Sequence, residues 1–206
     1  ARTLSDFAAM GGWPRHLLVT LALPGSCEMR WVEQLYRGMN KCARAFDCSI
    51  VGGETSSVPA GAPSMISVAG TGTAKRSQMV LRSGGRPGDV LFVTGRLGGS
   101  LRGRHLTFTP RLVEANWLVR NCPLHAMMDL SDGLARDLPR LASASGCGFL
   151  LEKDSVPRSR GITVEEALCD GEDYELLLAV PARSAKRLES AWRNQFPRLP
   201  LSLIGS

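Results

Sequence analysis

Asp129, Ser131 and Asp132 fall within four positions of the stretch Asp129-Leu130-Ser131-Asp132-Gly133-Leu134. The residues before it, Ala126 to Met128, are strand-like. After it, Leu134, Leu138 and Leu141 share one face of a predicted helix that starts at Gly133. The two carboxylates and the hydroxyl thus sit where a strand gives way to a helix. Such a junction offers backbone N–H groups to phosphate oxygens. Magnesium takes one or two carboxylates and completes its shell with water and phosphate oxygens. Helix capping alone accounts for Ser131 or Asp132 but gives Asp129 no role. The pattern points to metal-assisted chemistry on a phosphate group.

Two further stretches carry oxygen donors. In Val51-Gly52-Gly53-Glu54-Thr55-Ser56-Ser57 a glycine pair lets the backbone approach a ligand closely. No G-x-x-x-x-G-K-[ST] phosphate loop occurs, and a glycine turn with polar decoration accounts for this stretch on its own. In Asp170-Gly171-Glu172-Asp173-Tyr174-Glu175 four acids lie within six positions, a density that is costly unless a cation is near. Asp6 reads as a helix N-cap, and Arg82 and His105 as candidate phosphate contacts. With three histidines in all, no Ser-His-Asp order or helix-borne metal motif can be assembled.

The elements that position these residues follow from periodicity. Apolar side chains from Trp31 to Phe46 recur at helical spacing, predicting an amphipathic helix over 26–46. Strands are predicted at 17–23, at 48–51 (ended by Gly52-Gly53) and at about 65–72. Residues 73–89 are rich in Arg, Lys, Gly and Pro and read as a domain boundary. Beyond it come a strand at 90–94, a helix at 110–120 capped by Thr109, a strand at 126–128 and the helix from Gly133. Strands at 148–151 and 174–180 and a helix at 183–196 complete this part. The expectation is an α/β (α+β) chain of mixed sheets packed with helices, divided into 1–80 and 81–206.

Composition narrows the partners. With 206 residues, 44% hydrophobic and 21% charged, the chain is ordinary for a globular protein. Its richest apolar run, His16 to Leu23, is too short to cross a bilayer, and no signal peptide precedes it; a cytoplasmic protein without membrane partners is expected. Six cysteines without a C-x-x-C pair read as reduced thiols, neither a disulfide framework nor a zinc site. The net charge of +6 favours anionic partners. Because the arginines are scattered, the expected partner is a nucleotide or phosphorylated metabolite and no nucleic acid.

In their order along the chain, five stretches resemble the thiamine-monophosphate kinase family of the aminoimidazole ribonucleotide synthetase-like superfamily. They are Leu4-Ser5-Asp6-Phe7-Ala8-Ala9-Met10-Gly11, Gly52-Gly53-Glu54-Thr55, Arg82 to Asp89, Asp129 to Leu134, and Gly171-Glu172-Asp173-Tyr174-Glu175-Leu176. The resemblance implies a two-domain fold whose N-terminal domain is incomplete here, and a homodimer formed through that domain with ATP bound across it. It implies direct in-line transfer of the ATP γ-phosphate to thiamine monophosphate, yielding thiamine diphosphate, with Mg2+ as cofactor. The family's metal ligands map onto Asp6, Glu54, Asp129 and Asp132, and its nucleotide contacts onto Gly53, Glu54, Arg82, Ser131 and Tyr36. Asp129, Asp132 and Arg82 would carry the chemistry, and Glu172 would contact the thiamine phosphate. Glu54 stands where the family has aspartate, so its metal contact is expected to run through water. The acidic Gly-Asp-Asp segment and the aromatic tail of the family have no counterpart between Ala1 and Ser206, so these residues alone are expected to be inactive or impaired. Two other readings stay open: another ATP-using enzyme of the superfamily, and a non-catalytic nucleotide-binding or dimerising remnant.

Overall fold

A computed structural model describes all 206 residues. Helix α1 (Arg2–Ala9) leads into β1 (Trp13–Pro24), α2 (Met29–Arg44), β2 (Ser49–Val58) and β3 (Met65–Thr73). Next come β4 (Asp89–Thr94), α3 (Leu112–Asn121), β5 (Ala126–Asp129), α4 (Leu134–Ser145) and α5 (Val164–Cys169), followed by β6 (Leu176–Pro181), α6 (Ala185–Gln195) and β7 (Leu201–Gly205). Mixed α/β content is as expected.

The first sheet has β1 in its centre, parallel to β2 and antiparallel to β3. Val19, Leu21 and Leu23 alternate along β1 with period two, and all three are buried. They pack against Val32, Leu35, Tyr36 and Met39 on the apolar stripe of α2. β2 and β3 are exposed along nearly their whole length.

The second sheet runs β5-β6-β4-β7, with every neighbouring pair antiparallel. Leu176 to Pro181 are all buried, which a continuous apolar run in an inner strand requires. One face packs Leu91, Val93 and Leu177 against Leu134, Leu138 and Leu141 of α4. The other packs Phe92, Leu176 and Leu178 against α3 and α6, with Trp117, Trp192 and Phe196 in edge or tilted ring contacts. That second core also contains Leu4 and Ala8 of α1, Leu17 of β1 and Phe46, so apolar packing runs without a break from the first sheet to the second. α1 packs on α3 and β5, which carries Asp6 to the end of β5.

Several local expectations give way to the structure. β2 does not stop at Gly52-Gly53 but continues to Val58. Its register slips at Val51, and a Cβ on Gly53 would stand 1.8 Å from the Val19 carbonyl oxygen, so the glycine permits close strand approach. Asp6 lies inside α1, whose N-cap is Ala1. α3 begins at Leu112 with no side-chain cap, because Arg111 holds the N-cap position and its guanidinium has no acceptor for backbone N–H groups. Residues 148–150 form no strand, and Leu151 makes only an isolated bridge with Gly205. The sequence reading did not include α5, which carries a Thr163–Glu166 capping box, or β7.

Candidate active site

Asp129 closes β5, and the second turn of α1 sets Ser5 and Asp6 beside it. Ser5 Oγ donates to Asp129 Oδ2 at 2.5 Å. Asp6, Arg82, Asp129, Ser131, Asp137 and Arg140 all line one cavity of about 460 Å3. Burial pushes the Asp129 carboxyl above the usual range; the Ser5 hydroxyl opposes that shift and the neighbouring Asp6 charge adds to it. Burial also raises Asp6. Two carboxylates that repel in a partly dry cavity favour a cation between them.

No group of three His, Cys, Asp or Glu side chains converges as a ready-made metal cage. Magnesium does not need one, because it keeps waters and uses substrate phosphates alongside one or two carboxylates. The oxygen donors Asp6 and Asp129 therefore fit that ion. Arg82, on the same cavity, has no carboxylate within ion-pair distance, so its guanidinium remains available to an anion.

The loop after β5 is zipped to the acidic loop before β6. Glu172 N–H donates to the Ser131 carbonyl, Tyr174 N–H to the Leu130 carbonyl and Leu130 N–H to the Glu175 carbonyl, each at 2.8 Å. Gly133 makes this approach possible: its φ is +95°, and a Cβ there would press to 2.8 Å from the Asp170 carbonyl oxygen. Glu172 and Tyr174 hold left-handed backbone angles (φ +65° and +52°), which such side chains rarely adopt. Surrounding contacts impose them. Ser100 Oγ donates to the Glu172 carbonyl at 2.6 Å, Tyr174 Oη donates to Glu172 Oε2 at 3.2 Å, and Phe108 stacks on Tyr174 with ring centroids 4.2 Å apart. Glu172 also pairs with Arg2 at 2.5 Å.

For three of the four acids, Glu172, Asp173 and Glu175, the cations turn out to be the protein's own arginines. Arg111 grips buried Glu175 with two hydrogen bonds at 2.7 and 2.5 Å, and Thr94 Oγ1 donates to the same carboxylate at 2.7 Å. Asp173 accepts from Gly98 N–H at 2.9 Å and from Arg104; burial nonetheless pushes its carboxyl up to about 6. Asp170 accepts from Gly99 N–H at 2.7 Å. Of the four, Glu172 is the one that faces outward from this framework with a surface-exposed partner.

The predicted residues fall into two groups. Asp6, Arg82, Asp129 and Ser131 share the cavity just described. Tyr36, Gly53 and Glu54 line a separate cavity of about 440 Å3 on the first sheet and share no lining residue with it. Asp132 is half exposed and pairs with Arg140. His105 turns its Nδ1 to the Ser100 carbonyl at 2.8 Å, a structural bond in place of a phosphate contact. Ser5, Asp137 and Arg140 escaped the sequence reading. Their one signal was position, next to Asp6 or one and two helical turns beyond Asp132. A larger cleft of about 630 Å3, which includes Arg15, Asp47, Lys75 and Arg120, brings together no paired carboxylates.

The family models for the AIR synthase related protein N-terminal and C-terminal domains match residues 1–74 and 86–196. The chain therefore belongs to the AIR synthase-related family. Within that family it is similar to thiamine-monophosphate kinases. It is 40% identical to that of Rhodopirellula baltica over 200 residues, covering 92% of this chain and 62% of the relative. It is 32% identical to that of Salmonella typhimurium, covering 93% and 66%. The chain thus spans somewhat under two thirds of those proteins.

Among solved structures, AaThiL complexed with AMPPCP and TMP superposes with a TM-score of 0.84 at 30% identity, covering all of this chain and 71% of that one. Thiamine-monophosphate kinase from Stenotrophomonas maltophilia gives 0.85 at 30% identity, covering 98% and 72%. Hydrogenase maturation protein HypE shares the fold at 23% identity with a TM-score of 0.84.

Proposed function

We propose that the protein to which these residues belong transfers the γ-phosphate of ATP to the phosphate of thiamine monophosphate, giving thiamine diphosphate. The observation that carries this reading is the convergence of Asp6 on α1 and Asp129 at the end of β5 on one cavity with an unpaired Arg82. The similarity to thiamine-monophosphate kinases, and to one bound to an ATP analogue and TMP, supports it. The division into 1–80 and 81–206 assigns Asp6 to the first part and Asp129 to the second, so the cavity lies where both contribute.

Transfer between two phosphate groups asks for positioning and charge neutralisation more than for a strong base, since the acceptor oxygen is already ionised. Asp6, Asp129 and, once freed of its arginine, Asp132 would hold magnesium, which supplies positive charge to the phosphates. Arg82 contributes a fixed cation, and the N-terminus of α4 favours anionic oxygens beside Ser131. Glu172, held by Tyr174, Ser100 and Arg2, is the residue proposed to meet the second substrate. The ionised acceptor phosphate is itself the nucleophile in this reading, so the proposed transfer is direct and in line.

Gly53, Glu54 and Tyr36 join the site through a second copy of the chain. Val51 and Met65 are exposed on β2 and β3, apolar side chains of the kind that interfaces cover. In the full-length protein, ATP consumption is expected to depend on thiamine monophosphate. Equal consumption with formylglycinamidine ribonucleotide or selenide would refute this assignment.

A further inference from the structure

Arg140 stands on the second turn of α4 and faces the Asp6–Asp129 cavity. Its Nη1 donates to Asp137 Oδ1 at 2.8 Å and also to Asp132 Oδ2. The two carboxylates differ. Asp137 is fully buried, and its other oxygen accepts the Asp132 backbone N–H at 2.9 Å, so it cannot move. Asp132 and Arg140 are 45% and 49% exposed, so water can replace their mutual contact at little cost.

The charges add a second argument. Four carboxylates (Asp6, Asp129, Asp132, Asp137) face two guanidiniums (Arg82, Arg140), leaving the site short of two positive charges. A divalent cation supplies that deficit, but the outer oxygen of Asp132 is already held by Arg140. Metal and arginine therefore compete for one carboxylate. An arriving phosphate offers the displaced guanidinium an equivalent partner.

We propose that Arg140 is an exchange residue. It holds Asp132 while the site is empty, gives that carboxylate up to the divalent cation, and turns to the nucleotide phosphates while Asp137 keeps it tethered. The proposal rests on the assignment of Asp132 as a metal ligand and of this cavity as the nucleotide site.

Two binding measurements on the full-length protein test it without turnover: Mn2+ by electron paramagnetic resonance in the absence of nucleotide, and ADP by calorimetry in EDTA. Exchange predicts opposite signs. R140M is expected to bind Mn2+ about fivefold more tightly, because Asp132 is released. It is expected to bind metal-free ADP about tenfold more weakly, because a charged phosphate donor is gone. R140K, which keeps the cation, is expected to fall between R140M and the parent in both. If R140M does not fold, R140Q reports the same two affinities. Mn2+ affinity that is unchanged or reduced, or a parallel fall in both affinities, overturns exchange and leaves Arg140 structural. D132N separates the two layers. If it weakens Mn2+ while R140M fails to strengthen it, the metal assignment stands and exchange is wrong. If D132N leaves Mn2+ binding at the parental value, the metal assignment itself fails, and exchange with it.

Discussion

The paired loops at 129–134 and 170–175 and the exposed strands β2 and β3, which flank β1, frame the two halves of the predicted site, and they are built in opposite ways. The loops are anchored from beneath by buried charge pairs and laced together by backbone hydrogen bonds. Two residues are held there in left-handed conformations that only a rigid surround sustains. The strands present Gly53 and Glu54 on an exposed sheet with apolar neighbours left uncovered. One half is preorganised within a single chain, and the other depends on what covers it. This contrast suits the proposed chemistry, in which metal and acceptor placement would tolerate little error while a nucleotide site could be completed at an interface.

The largest expected effect breaks the preorganised half at its centre. Asp129→Asn is expected to lower turnover in the full-length protein by at least about 100-fold. Its melting temperature should be unchanged or slightly raised, because the native carboxylate is held above its ordinary pKa by burial. A calorimetric scan beside the activity assay separates these outcomes, and a large loss of stability would show that Asp129 is structural.

Next comes the anchor beneath the loops. Arg111→Met leaves buried Glu175 with only the longer Arg104 contact at 3.6 Å and is expected to destabilise the fold by about 3 kcal/mol in denaturant titration. A loss under about 1 kcal/mol would mean that the network is dispensable.

Asp173 gives a pH test of the same framework. Its folded pKa of about 6 exceeds the ordinary 3.8, so the unfolded chain ionises first as pH rises. The stability contribution of this residue therefore declines between pH 4 and 6 and is flat above that range. A shift of about two pKa units corresponds to roughly 3 kcal/mol as an upper bound. In Asp173→Asn that slope should vanish from a series of urea titrations across pH; an identical slope would assign it elsewhere.

The smallest effect on the fold sharpens the other side of the comparison. Met65→Lys on exposed β3 is expected to change monomer stability by no more than about 0.5 kcal/mol. It should nonetheless shift sedimentation velocity from dimer to monomer. An unaltered dimer would place the interface away from β3.

How much was legible in the sequence follows the same division. The Asp129–Leu134 junction and the apolar runs of β4 and β6 could be read directly because they are local. Asp6 was recognisable by resemblance, yet its part in a cavity with Asp129 depends on α1 packing against β5, a contact that no periodicity reveals. The acidic loop illustrates the limit well. Its charge density correctly demanded cations, but Arg104 and Arg111 lie more than 60 positions earlier, and only the β4–β6 pairing brings them there. Gly52-Gly53 looked like a strand end because glycine usually interrupts β structure, whereas here it serves close contact between strands. Asp137 and Arg140 carry no signal in the sequence that sets them apart from an ordinary charged helix face.

The most direct test of the central claim is a rapid-quench experiment on the full-length protein with γ-labelled ATP, magnesium and thiamine monophosphate. Direct transfer predicts that the label passes from ATP into thiamine diphosphate, with none on the protein at any time. Label trapped on the polypeptide, or released as inorganic phosphate without thiamine diphosphate, would contradict it.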